Sequence, residues 1–177
     1  MSAQRTPRVT AREPELFAHF HVVTMDSPIG KVYIQSDGEM ITRVTFDTLK
    51  QRSAKPPQVL VEAEKQLNAY FLGRRRSFEL PLQRLGTPFQ RLVWSVLEDI
   101  PFEEARTYQA LADRIGGRAV ARTVGHACAS NPLLIIVPCH RVIAMNGLLT
   151  GYAGGLWRKR WLLTHEGVLE KELFAEP

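Results

Sequence analysis

Residues 107–129 read TYQALADRIGGRAVARTVGHACA, two short helical patterns split by a glycine pair, and the architecture of the chain follows from them. Thr107 is a good N-cap for a first helix carrying Leu111, Ala112 and Ile115, and Gly116-Gly117 ends it. A second helix is predicted from near Arg118 to about Ala129. At about 100° per residue, Val120, Val124 and Ala127 share one face. Arg118 and Arg122 fall opposite, beside the small residues Ala121, Gly125 and Ala129. An apolar back with arginines and small residues in front can press close to a phosphate backbone, as a recognition helix must. The plainer reading is two core helices with solvated arginines.

The same character extends in both directions. Upstream, Thr87 caps and Pro88 opens a helix whose stripe is Phe89, Leu92, Val93, Val96, Leu97 and Ile100, stopped by Pro101. Downstream, the only non-helical run is Leu133 to Val137, apolar throughout and read as a buried extended segment. Gly151-Tyr152-Ala153-Gly154-Gly155 forms a flexible loop without the spacing of a phosphate-binding loop. A last helix runs from Trp157 to Glu166.

Toward the N-terminus the pattern is strand-like. His21 to Met25, Lys31 to Ser36 and a third run holding Ile41, Val44 and Phe46 are separated by turns at Ser27–Gly30 and Asp37-Gly38. Lys50 to Pro57 reads as a polar linker, and a helix follows from about Gln58 to Leu72, ended by Gly73. Arg74-Arg75-Arg76 is taken as a solvated turn. The fold class is therefore α+β (α/β): a small N-terminal antiparallel sheet with a flanking helix, and a mostly helical C-terminal part with a helix-turn-helix. The boundaries read are 1–16 as a tail, 17–83 and 84–177.

With 177 residues, 45% apolar and 23% charged, the chain can bury a real core. The net charge of +5 is compatible with a polyanionic partner. Between Ala105 and His165 the basic residues are Arg106, Arg114, Arg118, Arg122, Arg141, Arg158, Lys159 and Arg160, against the single acid Asp113, so the excess is local. No run reaches the ~18 apolar residues of a membrane span, and the N-terminus lacks the apolar core of a secretory signal. The two cysteines, Cys128 and Cys139, form no CxxC pair. Free thiols, a reducing cytoplasmic setting and no metal site are expected.

Pro138-Cys139-His140-Arg141 follows the buried run. A cysteine beside histidine and arginine is in surroundings that favour thiolate, the nucleophilic form. A small buried hydrophobe beside a satisfied histidine is an equally good reading of the residues alone. Asn131-Pro132 makes a turn just before.

Asn131-Pro132, Ile136-Val137-Pro138-Cys139-His140-Arg141-Val142-Ile143, Gly151 to Gly155, Leu162-Leu163 and Glu166-Gly167 closely resemble the O6-alkylguanine-DNA alkyltransferase family. Gly86 to Gln90, Val93-Trp94, Thr107-Tyr108 and Arg122 to Gly125 match as well. The resemblance implies direct reversal of DNA damage: O6-alkylguanine is flipped from the duplex and its alkyl group moves irreversibly to Cys139. It implies that His140 takes the thiol proton through a bridging water and that Glu166 orients His140. Asn131 would brace the turn, Tyr108 protonate the departing guanine, and Arg122 enter the duplex where the base left. Arg118, Ala121, Gly125 and Ala129 would face the minor groove of double-stranded DNA. Tyr152, Ala153, Val142 and Leu134 would line the base pocket. No cofactor is implied, and the zinc site of some relatives needs cysteines this chain lacks. The free protein is expected to be a monomer, with clustering on DNA left open. Glu103 stands where the family often has glycine, which is expected to change a turn.

Three rival classes remain: a lesion-flagging module without transfer, which Cys139 argues against; a helix-turn-helix regulator, for which the chain lacks further domains; and a cysteine hydrolase, which would need a peptide or ester cleft.

Overall fold

Alternation of apolar and polar residues builds three antiparallel strands, β1 (His21–Met25), β2 (Val32–Ser36) and β3 (Ile41–Thr45), in the order β1-β2-β3. Val32 and Ile34 point into the core together, as period two requires. The β2–β3 turn is tied by the Asp37 carboxylate, which accepts from the backbone N–H groups of Glu39 and Met40. In this computed structural model the described residues are 20–50, 53–116 and 119–170. The tail read over 1–16 and Arg118 therefore lie outside the described residues.

Helix α1 (Gln58–Phe71) lies on the sheet and buries Leu60, Ala63, Leu67 and Tyr70. Helix α2 (Pro88–Glu98) opens with a full capping box, in which Thr87 and Gln90 satisfy each other's backbone donors. Its buried face differs from the predicted stripe. Trp94 is buried and donates through Nε1 to the carbonyl of Ala127 at 2.8 Å, while Leu92 is 46% exposed. The large indole takes the central position because its N–H finds a partner there.

A two-residue strand β4 (Arg106–Thr107) runs parallel to β5 (Val142–Ile143), a pairing the sequence reading did not foresee. Helix α3 (Tyr108–Ile115) is capped by Thr107 as expected. Helix α4 begins only at Ala121 and ends at Ala129. Val120 is its N-cap and is 52% exposed, so it does not share the buried face of Val124 and Ala127. Helix α5 spans Leu156–His165, with Glu166 at its C-cap.

The apolar run 133–137 is buried but turned, not extended. Ile135 has φ +72°, and Val137 donates back to the carbonyl of Leu133. A β-branched residue in the left-handed region is costly and persists only where its surroundings fix it. Here they do. Val44 of β3 donates to Pro132 and accepts from Leu134, so the free edge of the N-terminal sheet grips the turn. Further along the same edge, Ile41 pairs with 81–83. One apolar cluster runs through both halves.

Glu103 takes φ +72°, a conformation glycine adopts more easily, and pairs with Arg76 at 3.1 Å. Arg75 is engaged locally with Ser77 and Glu79, so two members of the arginine run hold protein partners. Among the described residues no helix is long and apolar enough to cross a membrane.

Candidate active site

Pro138 stops the buried turn, and Cys139–Arg141 form one turn of 3-10 helix. That turn points Cys139 and His140 into the same interior, which a continuing strand would not do. Cys139 is 4% exposed. The Asn131 side-chain amide donates to its sulfur at 3.1 Å and to the carbonyl of Val137 at 2.8 Å, while Asn131 Oδ1 accepts from Leu133.

The thiol is not a resting thiolate. Burial pushes it up to about 11, and the hydrogen bond from Asn131 and the charge of Lys159 offset only part of this. The expectation of a thiolate-favouring site from Arg141 fails because the guanidinium is committed elsewhere. Arg141 grips Glu166 with two nitrogens, at 2.7 and 3.0 Å, and donates a third bond to the carbonyl of Ile100.

Glu166 is the hub of a buried network. Its Oε1 accepts from His140 Nε2 at 2.8 Å and from the Tyr70 hydroxyl at 2.7 Å, besides Arg141. Burial acts to raise its pKa, but His140 and Arg141 outweigh it and hold the carboxyl at about 2. His140 is fully buried, and burial lowers its pKa against the pull of Glu166. Its Nδ1 has no hydrogen-bond partner. With Nε2 engaged by an ionised carboxylate, Nδ1 is the basic lone pair left to receive a proton.

Lys159, one of the basic residues between Ala105 and His165, is internal rather than part of a basic face. Its ammonium donates to the carbonyls of Val142 at 2.6 Å and Thr150 at 2.7 Å, and burial pulls its pKa down to about 8. Tyr108 donates to the same Thr150 carbonyl at 3.2 Å, and its ring lies 5.9 Å from the ammonium. Gly125 of α4 faces that ring. Arg158 is also spent structurally. It bonds the carbonyls of Ile29 and Gly154 and lies 4.4 Å from the rings of both Phe46 and Trp157.

Tyr152 presents its ring edge-on to His140, 6.4 Å between centroids, and its buried hydroxyl has no partner. Gly154 cannot be larger, since a Cβ there would lie 2.6 Å from that ring and 2.8 Å from Phe46. Ala129, Asn131, Leu134 and Ala153 meet at one cavity of about 210 Å³ rimmed by Arg43 and Asp47. Val142 is buried in the core cluster, as are Leu134 and Cys139. Arg122 and Ala129 are exposed on α4, with Ala121 and Gly125 half-buried. Among the described residues no group of His, Cys, Asp or Glu is arranged to hold a metal ion.

Residues 88–168 match the model of the 6-O-methylguanine DNA methyltransferase DNA-binding domain, and residues 21–83 match that of the same proteins' ribonuclease-like domain. A methylated-DNA–protein-cysteine methyltransferase of Mycobacterium bovis is 44% identical over 82% of this chain and 92% of its own. This chain belongs to the 6-O-methylguanine DNA methyltransferase family. The constitutive family member of Bacillus subtilis is 40% identical over 86% of this chain and 98% of its own. The crystal structure of Mycobacterium tuberculosis O6-methylguanine methyltransferase superposes with a TM-score of 0.75 at 42% identity, covering 88% of this chain and 98% of that one. Mycobacterium tuberculosis OGT in complex with DNA gives the same TM-score at 43% identity, covering 84% of this chain and 94% of that one. Within the family frame, Asn131, Cys139, His140, Arg141, Lys159 and Glu166 all fall in the DNA-binding-domain match, whereas Tyr70 falls in the other.

Sequence reasoning missed Tyr70, Lys159 and the anchoring of Arg141. Tyr70 and Arg141 act through partners distant in the chain, and Lys159 through carbonyls that only folding brings together, so no local spacing signals them.

Proposed function

We propose that this protein repairs DNA by direct reversal, flipping O6-alkylguanine out of the duplex and taking the alkyl group irreversibly onto Cys139. The observation that carries the reading is the buried Cys139–His140–Glu166 set, braced by Asn131, with His140 Nδ1 left open. Since the thiol rests protonated, a base must act on it. The thiol proton goes to His140 Nδ1 through a bridging water. The sulfur–carbon bond forms as the carbon–O6 bond breaks, and guanine departs with the electron pair, protonated by Tyr108. The proton held on His140 ultimately replaces the one Tyr108 gave, so thiol plus O6-alkylguanine becomes thioether plus guanine. A thioether offers water no easy leaving group, so each molecule turns over once and needs no cofactor.

Double-stranded DNA is the partner, a reading supported by the relative solved in complex with DNA. Arg122 fills the gap left by the flipped base. Ala121, Gly125 and Ala129 bring α4 against the minor groove, with Arg118 contacting the same duplex, and Tyr152, Ala153, Val142 and Leu134 wall the base pocket. The protein acts as a cytoplasmic monomer divided near residues 84–88, with the two family matches meeting there in support. The test is intact mass after incubation with a duplex carrying O6-methylguanine, followed by peptide mapping. One methyl per protein on Cys139 is expected. An unchanged mass with the duplex still bound overturns transfer in favour of lesion binding alone.

A further inference from the structure

Tyr70 belongs to α1, packed on the N-terminal sheet, yet its hydroxyl donates to Glu166 Oε1 at 2.7 Å across 96 residues of chain. The residue is fully buried and held from several sides. The Tyr70 backbone carbonyl accepts from His165 Nε2 at 2.8 Å, and the His165 ring lies edge-on to the phenol at 5.1 Å. Phe71, Phe78 and Phe102 enclose the rest of the ring. Burial and the neighbouring carboxylate hold the phenol well above its usual range, so the hydroxyl keeps its proton and donates.

Glu166 Oε1 thus accepts from Tyr70, His140 and Arg141, while Oε2 accepts from Arg141. Donors on one carboxylate oxygen compete for the same charge density. Each bond that Tyr70 makes to Oε1 weakens the hold of that oxygen on the His140 ring and fixes the plane of the carboxylate that His140 meets.

We propose that Tyr70 is a positioning residue for alkyl transfer, setting the orientation of Glu166 and through it the basicity of His140. The N-terminal sheet and helix are then part of the reaction machinery and not only a scaffold. This rests on alkyl transfer to Cys139 as proposed above. The groups facing His140 are Glu166 and Lys159 from the C-terminal helix and its cap, Cys139 and Arg141 from its own turn, and Tyr152 from the glycine-rich loop. Tyr70 reaches it only through Glu166. Loss of the hydroxyl frees charge on Oε1 for the imidazolium, so His140 gains affinity for its proton. A histidine that must be neutral to accept the thiol proton then becomes available at higher pH.

The test uses the full chain and the Tyr70→Phe variant, which keeps the ring. Single-turnover methyl transfer from an O6-methylguanine duplex is followed across pH, and the ring nitrogens of His140 are titrated separately by NMR. The acid limb and the His140 titration are both expected to move to higher pH by on the order of half a unit, a loss of roughly threefold below the limb and a smaller change above it. Phe78→Leu, which loosens packing on the Tyr70 ring but keeps the hydroxyl, is expected to lower Tm without moving the limb. A wild-type limb and a wild-type His140 titration in Tyr70→Phe overturn the proposal, as does an equal shift in Phe78→Leu. If the wild-type protein transfers no methyl group, the proposed function fails instead, and the NMR titration still reports on Tyr70.

Discussion

The amide of Asn131 donates to both the sulfur of Cys139 and the carbonyl of Val137, so one side chain fixes the nucleophile and the turn that carries it. Asn131→Ala leaves the N–H of Leu133 without its partner in the interior and takes one of two donors from the Val137 carbonyl, which keeps the N–H of Cys139. A stability loss of about 2–3 kcal/mol is expected by denaturant unfolding. Thiolate absorbance should show Cys139 titrating higher than in the wild type, and methyl transfer should slow by about tenfold or more. A variant with unchanged thiol titration would remove Asn131 from the chemistry.

Glu166 is held at about 2, below its unfolded value of 4.5. A depressed carboxylate contributes stability that is complete above the unfolded pKa and is lost as pH falls toward the folded one. The acid-labile window should therefore lie between about pH 4.5 and 2. Glu166→Gln removes this contribution and strands Arg141 without its counter-charge, at a cost of about 3–5 kcal/mol near neutral pH. Thermal unfolding across pH checks both, and a variant as stable as the wild type at pH 7 would contradict the pairing.

Lys159→Met keeps the stem of the side chain and removes the donor held by Val142, Thr150 and Gly151. About 2–3 kcal/mol of stability should go, because Tyr108 still serves Thr150 while the other carbonyls lose a buried partner. The salt dependence of duplex binding should stay as in the wild type. A flattened salt slope would return Lys159 to the DNA face.

Arg122 is exposed on α4. Arg122→Ala should weaken repair of duplex DNA far more than reaction with free O6-alkylguanine, and should reduce the salt slope of binding by roughly one. Equal losses in the two reactions would count against its entry into the duplex.

Glu103 carries a Cβ at φ +72°. Glu103→Gly and Glu103→Ala both lose the ion pair to Arg76, but only alanine keeps the left-handed strain. The glycine variant should be the more stable of the two by roughly 1 kcal/mol. The reverse order would show that this turn relaxes when the ion pair goes.

What the sequence made readable was local. Thr87 and Thr107 are caps whose signal lies within four residues, and both helices start where those caps predict. The Pro138-Cys139-His140-Arg141 run marked the site for the same reason. The turned conformation of 133–137 was not readable, because an apolar run says buried without saying how. Its left-handed Ile135 is imposed by Val44, far away in sequence. Lys159 illustrates the opposite error. A lysine among arginines reads as surface charge, and only the convergence of a β5 carbonyl with two from the loop at 150–151 draws it inside.

The grip of β3 on the segment at 132–134 also bears on the order in which the molecule can be completed. During synthesis the N-terminal sheet emerges first, with the backbone groups of Val44 unclaimed until Leu134 has left the ribosome. An unclaimed strand edge is a template for pairing with another chain. The nascent protein is therefore most prone to aggregate while α2, α3 and α4 are being made, and a chain truncated before Pro132 would carry that hazard permanently.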